Sequence, residues 1–190
     1  MKKKNIGRPR DPIKSNIIIG ETLKQLLMKG YGSLSISDVA TESKVSKATI
    51  YRRWNSKSSL VVDSLKSLPG LESPSSGSLK KDIKHLVTQV IAIKSETNLF
   101  SVLQTLTGEM FNDKELERAM HPYLNNRISP VKSIIHEAIN RGEMPKETNI
   151  EATIYAVIGP LIALSFLRQQ TINESLIEPL TKIIYKSLKD

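Results

Sequence analysis

Apolar residues recur at three- and four-residue spacing along almost the whole chain, and no stretch alternates apolar with polar as a half-buried strand does. That periodicity restricts the chain to an all-α fold, and the start and stop signals divide it into about nine helices. Asp11-Pro12 reads as an N-cap with proline at the first helical position. The helix it opens places Ile19, Leu23, Leu26 and Leu27 inward and stops at Gly30. Ser35 and Asp38 form a capping-box-like pair for a second helix that buries Ile36, Val39 and Ala40. Ser46 caps a third, which buries Ile50 and Trp54, and a fourth begins near Ser56 with Leu60, Val61 and Leu65 turned inward.

The Pro-, Gly- and Ser-rich stretch 69–78 interrupts the pattern and reads as a linker. The expected organisation is therefore a helical unit over 1–68, the linker, and a second helical unit over 79–190. Five helical segments follow the linker. The first, 79–95, buries Ile83, Val87, Val90 and Ile91; the next, 99–111, buries Leu99, Leu103, Leu106 and Met110. A third runs over 113–141, ends at Gly142, and contains Pro130, so it is either kinked or split with Ser129 capping a second half. The last two cover 148–167 and 173–188.

Charge separates the two units. Residues 1–68 hold 14 Lys+Arg against 5 Asp+Glu, whereas residues 69–190 hold 14 against 14, so the whole net +9 lies in the first third. Segregation of this kind points to a polyanionic partner, because each phosphate neutralised releases counterions. A basic membrane-surface helix fits less well, since these cations do not line one face of a single amphipathic helix.

Several function classes are disfavoured. There is no cysteine, hence no disulfide framework and no thiolate nucleophile or zinc ligand. His85, His121 and His136 are the only histidines and no two stand four apart, so no metal site is expected. No phosphate-binding glycine loop or nucleophile elbow occurs, and neither an enzyme nor a cofactor is expected. The longest apolar run, 154–167, falls short of the about 20 residues that a bilayer needs. No signal peptide is evident, and the expectation is a cytoplasmic chain with no membrane partner.

The segment 35–60 has the order of a helix-turn-helix. A recognition helix meets base edges with its first turn and phosphates with its flanks. Lys47, Ala48 and Thr49 occupy that turn, where Ala48 suits a thymine methyl. Tyr51, Arg52 and Arg53 project from the next turn, Lys57 begins the following helix, and Ser35 and Ser37 lead the helix before. All are candidate contacts to double-stranded DNA. In the N-terminal arm, Arg8 and Arg10 flank Pro9, an extended pair suited to a narrow minor groove.

Residues Gly30-Tyr31, Ser35, Val39-Ala40, Val45-Ser46-Lys47, Thr49-Ile50-Tyr51, Trp54, Ser56-Lys57 and Leu60 together resemble the DNA-binding domain of the TetR family of bacterial transcriptional regulators. The match is dense over 14–62 and persists more weakly in element order and in Asn140-Arg141-Gly142-Glu143. The resemblance implies a homodimer with N-terminal reading heads and a C-terminal domain that binds a small-molecule effector. It further implies that the effector releases a palindromic operator, as in a repressor. The alternative is a constitutive or architectural DNA-binding dimer without an effector. The family usually has glycine in the turn before the recognition helix, and this chain has Lys44. Lysine there either accepts a strained positive φ or shifts the turn.

Two features of the second unit are candidate sites. Residues 152–167 are apolar on nearly every face, and the last helix aligns Leu176, Leu180, Ile183, Ile184 and Leu188. A buried central helix would account for this; a two-fold interface that also uses Ile154, Ile158, Leu161 and Ile162 accounts for it better. Arg127 falls within the apolar stripe Met120, Leu124, Val131 and Ile135. A buried arginine must be paired or must meet an anionic group. Exposure at a Pro130 kink or a salt bridge to Glu109 would satisfy it; otherwise it lines an effector cavity with Tyr123.

Overall fold

The computed structural model describes residues 12–167 and 173–189, and these fall into two compact units that divide between Ser67 and Leu68. Among the described residues every regular element is helical. The first unit contains α1 (Pro12–Ser33), α2 (Ile36–Glu42), α3 (Lys47–Tyr51) and α4 (Lys57–Leu65). The second contains α5 (Leu79–Glu96), α6 (Leu99–Met110), α7 (Lys114–Asn140), α8 (Ile150–Leu167), a single 3₁₀ turn and α9 (Ile177–Ser187).

In the first unit α1 packs chiefly on α4. It turns Ile18, Thr22, Gln25 and Leu26 inward, and Gly30 bends its end with φ 73°. Of the expected inward set Leu26 is buried, but the other three are out of phase. Ile19 and Leu23 are half-buried and Leu27 is exposed, whereas Thr22 is buried with its hydroxyl donating to the Ile18 carbonyl at 2.8 Å. The cause is local ambiguity: Ile17-Ile18-Ile19 presents an isoleucine to three neighbouring directions, so periodicity alone does not choose the phase. Ile36, Val39, Ala40, Ile50, Trp54, Leu60, Val61 and Leu65 are all buried as the spacing requires. Asp11, the expected N-cap, lies outside the described residues.

The second unit has its core where α5, α7, α8 and α9 meet, around Ile83, Val87, Ile91, Ile135, Val157 and Ile184. Met110 is half-buried, outside the fully buried set of α6. The helix α7 runs through both Pro122 and Pro130 as one element of 27 residues, so it is not split. Proline at 130 removes the amide that would bond the Asn126 carbonyl. The Ser129 hydroxyl takes that carbonyl instead, at 2.7 Å, so Ser129 repairs the helix rather than capping a new one.

The 69–78 stretch has no helix but is tied down within its unit. The Gln89 side-chain amide meets both backbone groups of Glu72, at 2.7 and 3.1 Å. The Ser76 amide donates to the fully buried Asp82 carboxylate at 2.9 Å. Arg141, at the end of α7, gathers Asp82, Glu137 and Glu143, and Glu143 accepts the Leu79 amide at 2.9 Å. This cluster caps α5 and closes α7 at the same point.

Candidate nucleic-acid interface

Three serines set the geometry of the helix-turn-helix. Ser35, Ser46 and Ser56 sit in extended backbone ahead of α2, α3 and α4, and each hydroxyl accepts an amide of the first turn. Ser46 Oγ accepts from the Thr49 amide at 3.2 Å and also meets the Thr49 hydroxyl at 2.9 Å. The Asp38 carboxylate is bridged by Lys29 from α1 at 3.1 Å, and that hydrogen bond, above all, holds its carboxyl below the usual range.

Between α2 and α3 the chain closes through two amides, Lys44 to the Thr41 carbonyl at 3.2 Å and Val45 to the Ala40 carbonyl at 3.0 Å. This paired closure places its penultimate residue in the left-handed region. Lys44 occupies it with φ 55°, so the turn keeps its geometry and the lysine takes the strain.

The helix α3 is short and one-sided. Ile50 is completely buried, and Lys47, Ala48, Tyr51 and Arg52 are exposed. Ile50 and the buried Trp54 after it orient the helix, and the indole nitrogen of Trp54 is held by Asp63 of α4 at 2.9 Å.

The candidate contacts thus separate by their surroundings. Lys47, Ala48, Tyr51 and Arg52 share the open side, Thr49 is half-exposed with its hydroxyl at Ser46, and Ser35 and Ser37 are half-buried. Arg53 donates to the Ser15 hydroxyl of α1. The Lys57 ammonium donates to the Tyr31 carbonyl at 3.0 Å and lies 4.0 Å from the centre of the Tyr31 ring. In this arrangement both cations bind the chain itself. No local pattern signals it, because the partners lie 38 and 26 residues away. Arg8 and Arg10 lie outside the described residues.

In the second unit, the Arg127 guanidinium is neither in solvent alone nor paired with Glu109. It donates to the Pro69 carbonyl at 2.6 Å and sits 5.5 Å from the Tyr123 ring centre. Tyr123 is buried, and among the described residues its hydroxyl has no hydrogen-bond partner. Burial pushes the phenol pKa up, with Arg127 pulling it partly back.

The expected interface residues differ in burial. Ile154, Leu161 and Ile184 are buried in the core of their own unit, where α5 and α7 use them, so they are not open to a partner. Ile158, Leu176, Leu180 and Leu188 are half-buried against that core. Ile162 and Ile183 are exposed, together with Tyr155 of α8, which lies outside the apolar stripes. Among the described residues no cluster of acidic and histidine side chains suits a metal, and no helix is long and apolar enough to cross a membrane.

Two family models match the chain. Residues 18–63 match the bacterial regulatory proteins of the tetR family, and residues 73–184 match the tetracyclin repressor-like C-terminal domain. The chain is 25% identical over 185 residues to the uncharacterized HTH-type transcriptional regulator YdeS of Bacillus subtilis, covering 96% of this chain and 93% of that protein. In fold it is similar to GusR of Salmonella enterica, with TM-score 0.73 at 14% identity, covering 98% of this chain and all of that one. It is similar also to the transcriptional regulator FadR of Bacillus subtilis, solved in complex with stearoyl-CoA, with TM-score 0.67 at 14% identity over 92% of this chain and 97% of that one. With an exposed recognition helix held by three capped turns and a family model matching each unit, the chain belongs to the TetR family and is a DNA-binding transcriptional regulator.

Proposed function

We propose that the chain is a repressor that binds a palindromic operator as a homodimer and is released by a small-molecule effector. The observation that carries the DNA side is the open side of α3, a helix of only five residues, where Lys47, Ala48 and Tyr51 are exposed with Arg52 directly after them. So short an element reads few base pairs, and two copies on adjacent half-sites supply the missing specificity. Exposed Tyr155, Ile162 and Ile183 on α8 and α9 are the apolar residues available to pair two copies.

The effector side rests on Tyr123. A buried hydroxyl without a partner costs about 1–3 kcal/mol, which an arriving acceptor or donor would recover. Arg127 stands against its ring and holds the Pro69 carbonyl, so an effector at Tyr123 acts on the start of the 69–78 stretch through one side chain. A constitutive DNA-binding dimer gives no role to that hydroxyl, and the ligand-responsive reading is preferred for that reason.

The test is selection of duplexes from a random pool by the full chain, followed by sedimentation of the complex and a screen for compounds that raise its thermal midpoint. A palindromic consensus bound by two chains, and a stabilising compound that weakens binding, are expected. A consensus without symmetry, bound by one chain, would reject the dimer; stabilising compounds that leave DNA affinity unchanged would reject the effector.

A further inference from the structure

Lys44 holds a backbone conformation that suits glycine. The turn after α2 closes through the Lys44 and Val45 amides, and that pair of bonds requires the left-handed φ of 55° at Lys44. Among the described residues it is the one non-glycine residue with positive φ. Lysine is disfavoured there by its Cβ, whereas glycine adopts the same angles freely. No side-chain bond among the described residues offsets that strain. The Lys44 side chain is exposed and forms no hydrogen bond or ion pair among the described residues.

The position explains what does. Lys44 stands two residues before Ser46, the N-cap of α3, and three before the exposed Lys47. When a recognition helix enters the major groove by its first turn, the residues just ahead of it lie beside the groove wall, where the phosphates are. We propose that Lys44 is a phosphate contact that sets the depth and register of α3, and that the strained turn is retained for this contact. The inference rests on DNA binding itself and does not depend on the dimer or effector proposals. The competing account is a cation placed beside the C-terminal carbonyls of α2, which acts on stability alone.

The two accounts differ in sign. Full-length wild type, Lys44→Gly and Lys44→Arg would be titrated by fluorescence anisotropy, over a series of NaCl concentrations, against a duplex selected by the wild type and a scrambled duplex. Thermal midpoints would be measured without DNA. Lys44→Gly is expected to melt higher, because glycine relieves the turn, yet to bind both duplexes more weakly, with the salt slope reduced by about 0.9. Lys44→Arg is expected to keep the wild-type slope. An unchanged slope in Lys44→Gly overturns the proposal, and so does a lowered midpoint, which would assign the lysine to the end of α2. Because glycine fits the turn, loss of binding through misfolding is detected by the same melting curve.

Discussion

The indole nitrogen of Trp54 donates to the Asp63 carboxylate at 2.9 Å, and this bond joins the end of the recognition helix to the middle of α4. Trp54 is 7% exposed and the Asp63 side chain 39%, so the bond is partly shielded from water. It fixes the direction in which α3 presents Lys47 and Arg52, although neither Trp54 nor Asp63 is on the open face. Trp54→Phe keeps most of the apolar contact and removes the donor. It should cost about 1.5–3 kcal/mol in urea denaturation, the range for a hydrogen bond to a charged group. A change below about 0.5 kcal/mol would mean that water replaces the indole without penalty.

Lys47 and Lys57 should behave differently although both are lysines beside the same helix. Lys47→Ala is expected to lower the salt slope of DNA binding by about 0.9 with little change in stability. Lys57→Met should do the reverse, losing the Tyr31 carbonyl and ring and about 1 kcal/mol of stability. Equal effects of the two substitutions on the slope would return Lys57 to the phosphate contacts.

Tyr123→Phe tests the effector proposal from the opposite direction to most substitutions. Removing a buried hydroxyl that has no partner should raise stability by about 1 kcal/mol, visible as a higher urea midpoint. Any compound found to release DNA should lose its effect on this variant. Retained response with raised stability would move the effector away from Tyr123.

Ile183 and Ile184 are neighbours with opposite environments, at 61% and 1% exposure. Ile183→Glu places a charge on the outer face of α9 and is expected to leave a folded monomer in sedimentation. Ile184→Glu places it in the core and should unfold the second unit. A dimer that survives both Ile162→Glu and Ile183→Glu would exclude the proposed pairing surface.

Acid should loosen the second unit at the junction of α5 and α7. Burial raises the Glu143 pKa, but the Leu79 amide and Arg141 outweigh it and leave the carboxyl below its ordinary value. A depressed carboxyl contributes stability above the unfolded pKa, near 4.5, and that contribution is lost as pH falls through the lower folded value. Melting curves between neutral pH and about pH 3 should therefore fall less steeply for Glu143→Gln than for wild type. Parallel acid limbs in the two proteins would place the sensitivity elsewhere.

The helical order was readable because its signals are local. Ser35, Ser46 and Ser56 each act within one turn, and a cap is recognised from the residue and its neighbours alone. The turn at Lys44 stood out only through the family resemblance, which has glycine there and leaves the geometry open; the left-handed φ is seen in the structure. The phase of α1 was not readable, because three consecutive isoleucines allow several faces and only packing against α4 selects Ile18.

By itself the sequence determined the all-helical class, the starts of α2, α3 and α4, the segregation of charge and the family of the first unit. Periodicity, capping chemistry and net charge are properties of short segments and need no tertiary contact. Only the tertiary structure decided which cations remain free and which apolar residues remain open. It ties Arg53 to Ser15, Lys57 to Tyr31 and Arg127 to Pro69, and it takes Ile154, Leu161 and Ile184 into the core. Those outcomes depend on partners far apart in the chain, brought together by burial of faces that no single segment can specify.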